Sequence, residues 1–406
     1  MKKMYYGKVI SSFDHLRPLS PELIAQTELK RTRLGPSILV NWRPPDFLDD
    51  QMLLSLLPPE QRQEATQVID AAGVNRRFLT PSMDLHGISL ENVRRNTAKI
   101  GTRLLLDIQQ QLGWEKIDRV IDTSLFLDEN IYQLIAQEAN LPPTTKFVSY
   151  RVACAGFAAA FIDSLADPSL VDNNIIILSL EALGALFHRN HLKKENFAIP
   201  AIFGDHYVGF GFKPADYQLL YAESHVIPDN GVIRSITYYQ KPQFNQAALP
   251  PHYVVSNTGE SIFGYNERGA FIDIQAPDED ISTNMKRLKT AAFFGKETPP
   301  IFSRAYQQAY DILPARYPIV FHNPSRAVVE LMNKYLAKDW RRPDVPLPQI
   351  PYLLDAMHSS NSSSATTPDI WQFMADEGML DPSEPFIIGA PGIGSLITVG
   401  AVLPRF

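Results

Sequence analysis

The chain has 406 residues, 45% hydrophobic and 20% charged, a globular composition with enough apolar material for a large core. A net charge of −6 argues against a nucleic-acid or membrane-surface binder that works by bulk electrostatics. The single cysteine forms no intrachain disulfide, and no apolar run reaches the roughly 18 residues of a membrane span. The start, residues 1–18, is basic without a signal-like apolar core, so a cytoplasmic protein in a reducing compartment is expected.

Residues 20–60 are rich in proline and charge, with Trp42-Arg43-Pro44-Pro45 among them, and are expected to form a cap-like insertion or long connection. Residues 119–123 have the pattern of a short buried strand. Residues 128–140 come next as a helix with Ile131, Leu134 and Ile135 on one face. An extended stretch at 146–150 leads into an alanine-rich helix ending near Leu165. Residues 174–180 are almost continuously apolar, as in a strand covered on both faces. A second insertion is expected at about 226–300, where Pro, Asn, Gly and Asp accumulate. Residues 317–321 predict a strand with Pro318 at its start. A helix succeeds it, with Asn323 as N-cap, Pro324 as first residue, and Val328, Leu331, Met332, Tyr335 and Leu336 at helical spacing. Two closing strands, 386–390 and 396–403, flank the turn Pro391-Gly392-Ile393-Gly394. This alternation predicts an α/β fold with covered sheets.

Cys154 stands between the extended stretch and the alanine-rich helix, at its expected first turn. Unpaired N–H groups and the helix dipole there favour a thiolate, the nucleophilic form. Ala153, Ala155 and Gly156 leave room for a thioester, although a buried inert cysteine fits the same pattern. His322 falls at a second strand-to-helix turn, where the helix N-terminus would keep its imidazole neutral. Asn361 lies in the hydroxyl-rich stretch 358–368. Taken alone, that stretch is an ordinary loop whose asparagine can donate to a developing negative charge.

In this order the segments resemble the β-ketoacyl-ACP synthase III (ketosynthase III) family of the thiolase superfamily. Val152-Ala153-Cys154-Ala155-Gly156-Phe157 resembles the family's nucleophile motif, and His322 with its helix the histidine motif. Residues 361–368 resemble the asparagine loop, Gly204-Asp205 the end of the first half, and residues 394–403 the glycine-rich closing hairpin. The resemblance runs from about Gly73 to Phe406. It implies a thiolase-like five-layer αβαβα fold made of two similar βαβαβαββ halves, here about 1–215 and 216–406, usually in a homodimer.

The resemblance also implies the chemistry. Cys154 would carry an acyl group from acyl-CoA or from an acyl carrier protein. The backbone of Cys154, Gly394 and Ser395 would hold the oxyanion, and His322 and Asn361 would stabilise the enolate of a malonyl- or β-ketoacyl-thioester. Donors of this kind are each worth about 2.7–4 kcal/mol. No metal or organic cofactor is implied, and neither nucleic acid nor membrane is expected as a partner. The expected pathway is fatty-acid-like or polyketide biosynthesis. Arg326, Lys338 and Arg341, with Lys334 and Arg342 nearby, would form a basic patch for an acidic carrier. Arg76 and Arg77 are a second candidate pair.

Some positions depart from the family pattern. Ser325 stands where the histidine motif usually carries an asparagine three residues after the histidine, Ser360 replaces the glycine before Asn361, and Ser395 a glycine of the closing loop. Bulk at His206-Tyr207-Val208 replaces small residues. These departures point to a divergent member with its own substrate. The alternatives are a same-fold acyltransferase to an alcohol or amine, a cysteine hydrolase, and a non-catalytic subunit of a heterodimer.

Overall fold

A computed structural model describes residues 8–9, 19–79, 90–124, 129–150, 152–183, 197, 201–226, 263–266, 269–272, 283–392 and 396–406. The strands are β1 (Lys8–Val9), β2 (Lys30–Leu34), β3 (Ser37–Trp42), β4 (Asp46–Asp49), β5 (Arg76–Phe78), β6 (Arg119–Asp122), β7 (Lys146–Ser149), β8 (Ile175–Glu181), β9 (His206–Phe212), β10 (Tyr217–Val226), β11 (Phe263–Asn266), β12 (Gly269–Ile272), β13 (Ile319–Phe321), β14 (Phe386–Pro391) and β15 (Leu396–Pro404). The helices are α1 (Pro21–Gln26), α2 (Asp50–Ser55), α3 (Pro59–Ala72), α4 (Leu90–Leu112), α5 (Glu129–Glu138), α6 (Gly156–Ala166), α7 (Thr283–Ile312), α8 (Arg326–Asp339) and α9 (Thr366–Asp376).

Two sheets dominate. The first has the order β2-β3-β9-β8-β6-β7 and the second β10-β15-β14-β13. Directions match strand for strand: β8–β6 and β14–β13 are parallel, while β3–β9, β9–β8, β10–β15 and β15–β14 are antiparallel. The same half-fold is therefore built twice.

The period-2 pleat sorts side chains into layers. From the first sheet, Ile38, Val40, Val120, Ile176 and Leu178 pack outward against Leu104 and Ile108 of α4 and Ile135 of α5. Their neighbours Leu39, Ile121, Ile177, Val208 and Phe210 face inward, onto Phe157 and Phe161 of α6 and Trp371 of α9. Val320, Ile388 and Val402 close that same core from the second sheet. Phe321, Ile387 and Val399 point the other way, to Phe302 and Tyr306 of α7 and Met332 of α8. The order helices–sheet–helices–sheet–helices is the expected five-layer αβαβα fold.

The stretch 20–60, expected as an insertion, differs. Residues 30–42 form the hairpin β2–β3 inside the first sheet, with every residue of β3 buried. Its edge strand β2 carries exposed Lys30, Arg31 and Arg33, which hid its strand character. Only the segment after the hairpin is cap-like: β4, α2 and α3 gather Leu48, Leu53, Leu57 and Ile69 into a separate small core. In the second expected insertion, residues 283–300 belong to α7, which packs on the second sheet. Most of 227–282 lies outside the described residues.

Candidate active site

Cys154 lies in a 3-10 turn, Ala153–Ala155, that runs directly into α6. The turn is built from an unusual backbone: Val152 at φ −115°, ψ 33°, then Ala153 at φ 49°, a left-handed conformation that non-glycine residues rarely adopt. The second half repeats it. Ser362 has φ −118° and ψ 45°, Ser363 has φ 48°, and the 3-10 turn Ser363–Ala365 opens α9. The two turns touch at the centre of the molecule. Ser364 is thus the structural counterpart of Cys154. Its N–H and Oγ donate to Glu181 Oε1, at 3.2 and 2.6 Å, whereas Cys154 bears the thiol.

The end of β14 presses on the cysteine turn. A methyl group on Gly392 would come 2.5 Å from the Val152 carbonyl oxygen and 3.0 Å from Ala155 Cβ, so only glycine fits. Close to Gly392 in the chain, the expected oxyanion-hole residues Gly394 and Ser395 lie outside the described residues.

His322 comes directly after β13 and is fully buried, and its backbone N–H donates to Gly389 O of β14 at 3.0 Å. Neither ring nitrogen has a hydrogen-bond partner among the described residues. Burial pushes its pKa down from 6.5 to about 3, so the ring is neutral, with one donor and one acceptor to offer. The cause is not the one expected from sequence. α8 begins only at Arg326, capped by Ser325, whose Oγ accepts from Val328 N at 3.4 Å. Asn323 is no cap: its side chain donates to Phe321 O and Pro351 O and accepts from Leu353 N. Desolvation, rather than a helix terminus, holds His322 neutral.

Asn361 is tied to the histidine loop. Its Nδ2 donates to Pro324 O at 3.0 Å, two residues beyond His322, and its Oδ1 accepts from Ser363 N at 2.9 Å. One amide hydrogen is thereby used, and the second remains to be donated. The backbone of Asn361 forms a bridge with Phe203: Asn361 N donates to Ile202 O at 3.1 Å and Gly204 N to Asn361 O at 3.2 Å. A methyl on Gly204 would fall 2.3 Å from Ser360 Oγ, so Gly204 and Ser360 fit as a small–large pair. The geometry joins the cysteine turn to the asparagine loop through the touching 3-10 turns, and the asparagine to the histidine loop through Pro324.

The basic residues do not gather as expected. Arg326 starts α8, pairs with Asp355 at 3.3 Å and lies over Tyr352. Lys338 is twelve positions on, about 18 Å along the axis. Arg341 lies beyond it and donates to the carbonyls of Lys338 and Trp340. The row is strung along a helix rather than clustered at one mouth. Arg76 stacks on Phe47, 4.7 Å from its centroid. Arg77 is fully buried and bonds Asp50, Val74 O and Ala201 O, so it braces the 201–205 segment instead of facing a carrier. Among the described residues no group of three His, Cys, Asp or Glu side chains could hold a metal, and no helix is long and apolar enough to cross a membrane.

One cluster went unread in the sequence. Arg43, His206 and Asp369 meet beside the asparagine loop, joined by Ser359. The bulk of His206 was the only signal.

No family model matches the sequence and no curated protein is similar to it. Solved structures are. One is the 1,3,6,8-tetrahydroxynaphthalene synthase of Streptomyces coelicolor A3(2), a bacterial type III polyketide synthase. It superposes with a TM-score of 0.60 at 14% identity, over 91% of this chain and 98% of that one. The fold is ketosynthase III-like. FabH of Pseudomonas aeruginosa PAO1, a 3-oxoacyl-(acyl carrier protein) synthase III, gives a TM-score of 0.57 at 14% identity over 91% and 97%. The priming β-ketosynthase of the R1128 polyketide pathway gives 0.61 at 15% identity over 92% and 96%. The ketosynthase III-like fold thus spans nearly the whole chain. At this identity the likeness speaks for architecture, and the chemistry rests on the site.

Proposed function

We propose that the chain is a condensing enzyme that carries an acyl group on Cys154 and joins it to a second thioester. The observation that carries the reading is a fully buried, neutral His322 with both ring nitrogens unpartnered among the described residues, linked through Pro324 to Asn361. A buried imidazole without partners is costly unless a ligand supplies them.

In this reading the Cys154 thiolate attacks the carbonyl of an acyl-CoA or acyl-carrier thioester, the carbon–sulfur bond to the donor breaks, and the donor leaves as a thiolate that takes a proton from solvent. A malonyl-thioester then loses CO₂. His322 N–H and the remaining Asn361 N–H donate to the enolate oxygen that develops. The enolate carbon attacks the acyl carbonyl, the β-keto product forms, and the Cys154 thiolate is released. Backbone N–H groups of the Cys154 turn and of residues 394–395 would hold the tetrahedral oxyanion.

Intact-mass measurement across a panel of acyl-CoAs and acyl-carrier proteins tests the first step. One acyl adduct that Cys154→Ala abolishes is expected. Label on another residue refutes the mechanism. CO₂ release from malonyl-thioester tests the second step, and transfer to an alcohol or amine without CO₂ would make the protein an acyltransferase instead.

A further inference from the structure

Asn361 must present its carboxamide at a fixed angle, and its backbone is anchored on one side by residues 202–204. Upstream, the anchor is ionic. Ser359 Oγ donates to Asp369 Oδ2 at 3.1 Å. Both oxygens of that carboxylate accept from Arg43 Nη2, at 2.6 and 2.7 Å. His206 completes the cluster, with Nδ1 3.4 Å from Asp369 Oδ2 and Nε2 3.3 Å from Arg43 Nε. Because Arg43 Nε can only donate, His206 Nε2 accepts and Nδ1 carries the hydrogen toward Asp369. Ser359 and His206 are each 1% exposed and Asp369 3%.

Arg43 and His206 come from the first half, Asp369 and Ser359 from the second. The clamp therefore crosses between the halves beside the asparagine loop. Burial alone would raise the Asp369 carboxyl, yet the Arg43 guanidinium bound to it holds it below its ordinary value, so it stays ionised. His206 is neutral, its pKa pushed by burial to about 3.

A buried ion pair of this kind is a weak stabiliser, since desolvation cancels most of its attraction and apolar residues of similar volume often do as well. What it supplies is a unique geometry. His206 also stands where the resemblance places a small residue.

We propose that Asp369, held by Arg43 and His206, is a positioning residue that fixes Ser359 and through it the carboxamide of Asn361. The role rests on the condensing reading, and the half-reactions separate the two.

Cys154 acylation needs no Asn361, whereas decarboxylation does. In Ser359→Ala and Asp369→Asn, the acylation rate should stay within about twofold of wild type. CO₂ release from malonyl-CoA should drop at least about tenfold in kcat with little change in KM, the scale of a displaced catalytic group. Arg43→Lys, which keeps the charge but loses the Nε bond to His206, should fall between. Thermal melting of each variant accompanies the kinetics. Where Asp369→Asn unfolds, Ser359→Ala decides, because it removes one hydroxyl and no charge. Equal loss in both half-reactions, or loss in neither, at an unchanged melting point would overturn the role. A wild type that shows neither adduct nor CO₂ overturns the parent reading, and this role with it.

Discussion

His322 illustrates what burial does to a single residue. Its imidazole ionises near pH 3 in the folded chain against 6.5 for an ordinary histidine. Between those values unfolding takes up a proton, so stability falls as pH drops through this window and is restored above it. His206, also near 3, acts in the same direction. Asp163, pushed up to about 7 chiefly by burial, acts in the opposite direction, losing stability as pH rises from 3.8 toward 7. A single-site comparison cancels the other groups. In urea unfolding at pH 7, 6 and 5, wild type should weaken relative to His322→Gln by up to about 1.4 kcal/mol per pH unit. Parallel stability curves would show that the ring is not held neutral by the fold. For catalysis the same neutrality means that His322 itself should produce no acid limb near pH 6.5 in the decarboxylation profile.

At the scale of elements, the site depends on how strand ends meet turns. β14 delivers Gly392 against Val152 and Ala155, so the closing strand sets the height of the cysteine turn. Gly392→Ala should slow acylation of Cys154 by about a hundredfold, as expected for displacing a reacting atom by an ångström or so, without a new acylation site in intact-mass kinetics. Wild-type rates in that variant would show that the contact is slack. Elements covered on both faces were readable in the sequence, because β8 is an almost continuous apolar run and β6 carries the β-branched pair Val120-Ile121 at its middle. The strand β3 is as deeply buried, yet its neighbours Lys30, Arg31, Pro44 and Pro45 disguised it. The residues Cys154, His322 and Asn361 were legible because each sits in a local motif. The Arg43–His206–Asp369 clamp was not, since His206 and Asp369 stand 163 and 326 positions from Arg43 and only the folded duplication brings them together. The start of α8 was misread because Asn323 and Pro324 form a good capping pair locally, while the bonds Asn323 makes to Pro351 and Leu353 are tertiary.

Across the whole molecule, the two half-folds share one interior. α6 from the first and α9 from the second lie in the same central layer, and both sheets press on it. Neither half has its own complete core. Near-ultraviolet and far-ultraviolet unfolding of the full chain should therefore coincide in one transition, while residues 1–215 alone should show no cooperative transition. Two resolved transitions would mean that the halves are independent domains. The central layer has another effect. Residues 156–164 of α6 are buried all round, so the helix can neither roll nor slide. Each residue advances a helix by about 100°, and Cys154 sits in the 3-10 turn that runs straight into it. The sulfur's bearing is therefore set by ballast, the aromatic rings of Phe157 and Phe161 wedged further down the same axis. Hollowing out that ballast would swing the reactive atom off target without altering any atom of the site itself.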